Sequence, residues 1–130
     1  MSTDTVDFLF YAGMKTTAGY SNNVNVTTAQ KPVGMSTIGQ VVDAEMLGFK
    51  DAVQNYQEIS RTKSIINGKG AVLVEFKYQT SSASPVYHNL QLILMSGNTL
   101  WMLACSSVDT DFGRWAGDFD NVVLSFKLTN

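Results

Sequence analysis

The stretch that decides the fold is His88–Asn130, HNLQLILMSGNTLWMLACSSVDTDFGRWAGDFDNVVLSFKLTN. An apolar strand over Tyr87–Met95 turns at Gly97-Asn98 and returns as a second strand, Thr99–Ser106. In that second strand Leu100, Met102 and Ala104 point one way and Trp101, Leu103 and Cys105 the other, because side chains alternate across a sheet. A strand apolar on both faces is covered on both. The sheet is therefore expected to carry helices or loops on each side. Further on, Asp109 or Thr110 can cap a helix in which Phe112, Trp115, Phe119, Val122 and Val123 follow helical spacing. The alternation over Leu124–Leu128 predicts a closing strand.

Upstream, residues 57–66 and 71–79 read as a hairpin around Asn67-Gly68-Lys69-Gly70, whose glycines supply positive φ. Val72, Val74, Phe76 and Tyr78 share one face of its second strand; Ala71, Leu73, Glu75, Lys77 and Gln79 share the other. A polar loop, Thr80–Ser84, ends at Pro85. Ser36 can cap a helix whose apolar stripe is Ile38, Val41, Val42, Met46, Phe49, Val53 and Tyr56, which predicts a helix over 36–56. Residues 6–12 and 23–30 read as strands, the first rich in aromatics and the second alternating around Val24 and Val26. Two helices among antiparallel hairpins give an α+β fold, a mostly antiparallel sheet between helices. No linker, repeat or charge run divides the chain, so residues 1–130 are expected to form a single domain.

Composition narrows the function classes. The 130 residues are 45% apolar, enough for one real core. Charged residues are only 15%, below the usual ~25%, and Ser, Thr, Asn and Gln supply the missing polarity, a bias frequent in exported proteins. The net charge is −2 and the pI about 5.1. With Lys63, Lys69 and Lys77 scattered, no basic patch offers nucleic acid an electrostatic footprint. The lone Cys105 cannot close an intramolecular disulfide. No apolar run approaches the ~20 residues of a membrane span. The apolar FLFYA segment is too short and too close to Asp4 and Asp7 for a secretory signal. A removed export or lipoprotein signal would leave the same sequence.

His88 is the polar residue with the most to say. A two-residue Gly97-Asn98 turn sets Ser96 opposite Thr99 and His88 opposite Ser107, with Asp109 and Asp111 just past the strand end. A hydrogen bond from His88 to one of these acids would hold the imidazole in one tautomer and tie the strand to the last helix. As metal ligands the three make a weak surface set, since a structural zinc site wants four Cys or His; no metal and no cofactor is expected. Trp115 is expected to anchor the last helix, and Arg114 to pair with an acid or stack on an aromatic ring, with a partner contact as the competing reading. Cys105, among apolar neighbours, reads as a small hydrophobe rather than a nucleophile. Asn67–Gly70 joins two strands, whereas a phosphate cradle needs a strand leading into a helix. Asp43, Glu45, Asp51, Glu58 and Glu75 form no facing pair of the kind glycosidases use. Phe8–Tyr11 and the Thr27–Gly34 loop could line a groove between helix and sheet, with core filling as the competing reading.

In sum of its motifs the chain resembles the PsbP-like proteins. The residues that carry the resemblance are His88 before an apolar strand, Gly97 in a turn, and Leu100-Trp101-Met102-Leu103-Ala104-Cys105. Asp111 ahead of Arg114-Trp115 and the closing Leu124-Ser125-Phe126 complete the succession. The resemblance is densest over residues 60–130 and loose over 1–34, where Asp7-Phe8 and Gly19-Tyr20 carry it. It implies an antiparallel sheet between helices and a pairing of the matching His and Asp. It also implies a noncatalytic accessory or binding domain outside the cytoplasm, in a bacterial envelope, free or lipid-tethered, with a protein or small ligand as partner. A photosystem II role is not carried over, because the extended N-terminal segment is missing and the Cys105 to Arg114 spacing differs. Two other classes stay open: a small enzyme or ligand-binding cup using His88, and, as the resemblance in fold implies, a cytoplasmic chaperone or adaptor. Fold alone does not decide among them.

Overall fold

The computed structural model describes residues 5–15, 21–66 and 68–125. One six-stranded antiparallel sheet holds β1 (Thr5–Lys15), β2 (Ser21–Gln30), β3 (Gln54–Ile66), β4 (Lys69–Gln79), β5 (Tyr87–Ser96) and β6 (Thr99–Val108), in the order β1-β2-β6-β5-β4-β3. Helix α1 (Ile38–Ala52) carries the chain from β2 across the sheet to the edge strand β3. It lies over β3, β4 and β5. Helix α2 (Asp109–Ser125) continues directly from β6 and packs against β5 and β6.

The alternation of side chains sorts the core into two layers. On the α1 face, Val42 and Met46 meet Val72, Val74, Phe76, Ile93 and Met102. On the α2 face, Phe119 meets Leu90 and Cys105, while Val122 and Val123 pack against Leu92, Leu94 and Leu103. Leu100, Met102, Leu103 and Cys105 are all buried, so β6 is shielded above and below as its composition demands. The expected register holds as well: Ser96 faces Thr99 and His88 faces Ser107.

Observed strands run a few residues past their expected ends, and Asp109 and Thr110 lie inside α2 rather than capping it; three other boundaries differ for local reasons. The first concerns the start of α1. Thr37, not Ser36, caps it: Gln40 N donates to Thr37 Oγ1 at 3.1 Å, and Gln40 Oε1 accepts from Thr37 N and Ser36 N. The second is that α1 ends at Ala52 rather than reaching Tyr56. Val53 is extended, and Asn55 adopts φ 53°, a left-handed conformation that Asn tolerates. Its side-chain amide donates to Gln79 Oε1 at 2.6 Å. Tyr56 keeps its place on the apolar stripe because the β3 side chain points under α1, where it packs on Phe76 and Phe49. The third is that Leu124 and Ser125 belong to α2, not to a closing strand; the rest of that expected strand lies outside the described residues.

Candidate functional site

Among the places where the described residues gather polar side chains, two lie over the central strands, one on each face. The first, under the start of α2, is built around His88. Its position opposite Lys77 on β4 and Ser107 on β6 puts it on the α2 face, diagonal to Glu75. Asp109 begins α2 immediately beyond β6, and its N–H donates to Val86 O at 2.8 Å, which fixes the helix start beside β5. The buried imidazole is gripped from both edges: Nδ1 lies 2.9 Å from Asp109 Oδ1 and Nε2 lies 2.7 Å from Glu75 Oε2. Phe112, one turn into α2, stacks on the ring with centroids 3.5 Å apart and planes 5° from parallel. Lys77 Nζ reaches Asp109 Oδ1 at 3.1 Å. Burial works to raise the Asp109 pKa, but the bonds and charges of His88 and Lys77 outweigh it and hold the carboxyl below its usual value.

This arrangement ties strand to helix and leaves little for chemistry. The neutral ring donates at one nitrogen, whereas the protonated ring donates at both, one to each carboxylate. Because Glu75 and Asp109 meet opposite edges of the ring, they do not converge on a point where an ion could sit. No group of three or more His, Cys, Asp or Glu with metal-holding geometry occurs among the described residues. Cys105 lies on the same face, wholly buried, with its thiol pushed up to about 12 by burial and then by Asp120. A thiol so protonated is no nucleophile at neutral pH.

Of the residues singled out in the sequence, His88 and Asp109 come together. Asp111 stands further along the first turn of α2, and Glu75 takes the second imidazole nitrogen. Trp115 packs against the Leu90, Cys105 and Phe119 cluster, with its Nε1 buried and unpartnered among the described residues. Arg114 is exposed on the helix. Glu75 and Lys77 were the residues missed. Their signal was present in the hairpin register, since Lys77 falls opposite His88 and Glu75 two places away on the same face.

The second place is a cleft on the other face. Because α1 lies over β3–β5, the β2 and β6 side of that face forms the floor of an open cleft of about 400 Å³. Asn25 and Thr27 of β2, Ala104 and Ser106 of β6, and Asn89 and Gln91 of β5 line the floor. Glu45, Met46 and Phe49 of α1, with Tyr78 of β4, form a wall. Phe49 and Tyr78 meet edge to face at 4.8 Å. Asn89 is only 6% exposed, and its Oδ1 has no hydrogen-bond partner among the described residues. A buried, unpaired amide oxygen costs about 1–3 kcal/mol, so it marks a place where a partner would be gained. Thr27 comes from the segment expected to line a groove, while the side chains of Phe8–Tyr11 lie outside the described residues.

An antiparallel sheet flanked by one helix on each face, with the acid at the second helix start bonded to a strand histidine, defines an α+β domain of layered type. The PsbP family model matches residues 7–128, and the chain belongs to the PsbP family. Among solved structures it is similar to PA94 of Pseudomonas aeruginosa, a protein of unknown function, with a TM-score of 0.77 at 10% identity. That match covers 98% of this chain and 85% of the other. It is also similar to the cyanobacterial PsbP (CyanoP) of Synechocystis sp. PCC 6803, with a TM-score of 0.65 at 17% identity. Here 83% of this chain and 68% of the other are covered. At such identities these two likenesses speak for the fold alone. No curated protein matches the chain. No helix among the described residues is long and apolar enough to cross a membrane.

Proposed function

We propose that this protein is a noncatalytic binding domain of PsbP type that works outside the cytoplasm, in a bacterial envelope, and holds its ligand in the cleft between α1 and the β2–β6 floor. The observation that carries this reading is the buried Asn89 amide, whose oxygen has no partner among the described residues, in the lining of an open cleft. Its volume falls within the ~300–1,000 Å³ of ordinary ligand sites. The enzyme alternative finds less support, because His88 sits on the opposite sheet face with both nitrogens engaged and Cys105 is sealed in the core.

The test is a two-dimensional amide NMR screen with a small library of polar fragments. Shifts grouped on Thr27, Gln91, Ala104 and Ser106 support the proposal. Shifts grouped around His88 and Phe112 instead, or none for any fragment, contradict it. The envelope assignment is checked separately by fractionating the native host: recovery with the cytosol would favour the adaptor alternative.

A further inference from the structure

We propose that the end of the sheet carrying the β3–β4 and β5–β6 turns is a docking surface for an anionic lipid bilayer. Segments from both sides of the sheet meet at this end. Lys31, the residue after β2, donates its N–H to Asn98 O in the β5–β6 turn at 2.7 Å. Ile65 and Ile66 close β3 opposite Gly70 and Lys69 of β4, and Ala71 pairs with Leu94 of β5. Helix α1 starts here, since Ile38 Cγ2 lies 3.3 Å from where a Cβ on Gly70 would stand. Helix α2 ends here, with Val122 and Val123 in the cluster that holds Ala71, Leu94 and Ile66.

Three large apolar side chains stand out from this end. Val33 is fully exposed at the tip of the Pro32–Met35 turn, in which Met35 N donates to Pro32 O and Gly34 takes φ 87°. Leu124 of α2 is 83% exposed and Ile65 of β3 is 75% exposed. Among the described residues these are the three most exposed large hydrophobics, and their meeting at one end sets them apart from apolar residues scattered singly. The same segments bring Lys31, Lys69 and, two residues before Ile65, Lys63. Asp118 and Asp120 sit at least one turn back along α2 from Leu124. Lysines near a negatively charged bilayer are attracted to its head groups, and their apolar stems sit comfortably at the interface. The apolar tips belong to a loop, a strand end and a helix end. A folded partner would need a matched socket for each, whereas a fluid bilayer yields to all three. A second copy docked end to end across a two-fold axis would bring two lysine-bearing surfaces together.

The experiment sediments the full chain with vesicles of phosphatidylcholine alone and of phosphatidylcholine with about 30% phosphatidylglycerol. The expected result is binding about tenfold or more tighter to the anionic vesicles, weakened by added salt. Val33→Asp should weaken that binding about tenfold or more, because an apolar tip is replaced by a charge. Lys31→Gln and Lys69→Gln should each weaken it about fivefold. Leu47→Asp, an exposed apolar position within α1 and away from this end, should leave it unchanged. Val33 makes its change on an exposed turn, so its variant keeps the test standing if a lysine variant fails to fold. Failure to bind the anionic vesicles, or equal binding to both kinds, overturns the proposal. A loss with Leu47→Asp as large as that with Val33→Asp overturns the placement at this end. Two further arms separate the other occupants. Binding of polyglutamate without binding of vesicles assigns the surface to an acidic polypeptide and overturns the lipid assignment. A concentration-dependent dimer in sedimentation, abolished by Val33→Asp and seen without vesicle binding, assigns it to a second copy and overturns it as well. None of these outcomes bears on ligand binding in the cleft.

Discussion

His88 joins three elements through one side chain. Its ring is clamped between Glu75 and Asp109 and roofed by Phe112, so the start of α2 is bound to two central strands at once. Asp109 carries the pH dependence of that fastening. Its folded-state pKa lies below the unfolded value of about 3.9, so the group stabilises the fold above that value. The contribution is lost as pH falls through the lower, folded-state pKa. Asp109→Asn should therefore destabilise the protein by about 1 kcal/mol near neutral pH. The gap between variant and parent should close as urea denaturation is repeated down to about pH 3. A gap that stays constant over that range would show that the carboxylate's charge is not what counts.

At the scale of elements, the boundary between α1 and β3 is set by Asn55 rather than by the apolar stripe. A left-handed residue bonded across to Gln79 stops the helix and turns the chain into the edge strand. Replacing Asn55 with Ala removes the bond and keeps a Cβ in the left-handed region, at a cost of about 1–2 kcal/mol for a residue without the Asn amide to offset it. Replacing it with Gly removes the bond together with the Cβ that the left-handed conformation crowds. Thermal unfolding should rank Asn55→Gly above Asn55→Ala; an Ala variant as stable as the Gly variant would refute the conformational argument. This boundary was not legible in the sequence because Val53 and Tyr56 continue the three- and four-residue spacing of α1, and a strand side chain pointing under the helix gives the same pattern. The end of α2 was hidden in a similar way: Leu124-Ser125 alternates like a strand but completes the last helical turn. The β5–β6 hairpin, by contrast, could be read to the residue, because the Gly97-Asn98 turn fixes every pair from Ser96 with Thr99 to His88 with Ser107.

The whole molecule follows from β6. A strand apolar on both sides, Leu100 to Cys105, requires two covers, and α1 and α2 supply them on opposite faces. What β6 alone could not reveal is that α1 lies to one side and leaves a polar floor beyond it, because Asn25, Asn89 and Ser106 come together only once β2 pairs with β6. The His88 cluster was half legible for the same reason: Asp109 is near in the hairpin, while Glu75 arrives from a third strand. The most direct test of the layered account is a side-chain NOE map. Met46 methyl protons should show contacts to Met102 and Ile93, and the Phe119 ring should show contacts to Leu90 and Cys105, with no strand side chain shared between the two helices. NOEs from both Met46 and Phe119 to the same side chains of Leu100–Cys105 would contradict it, because the helices would then lie on one face.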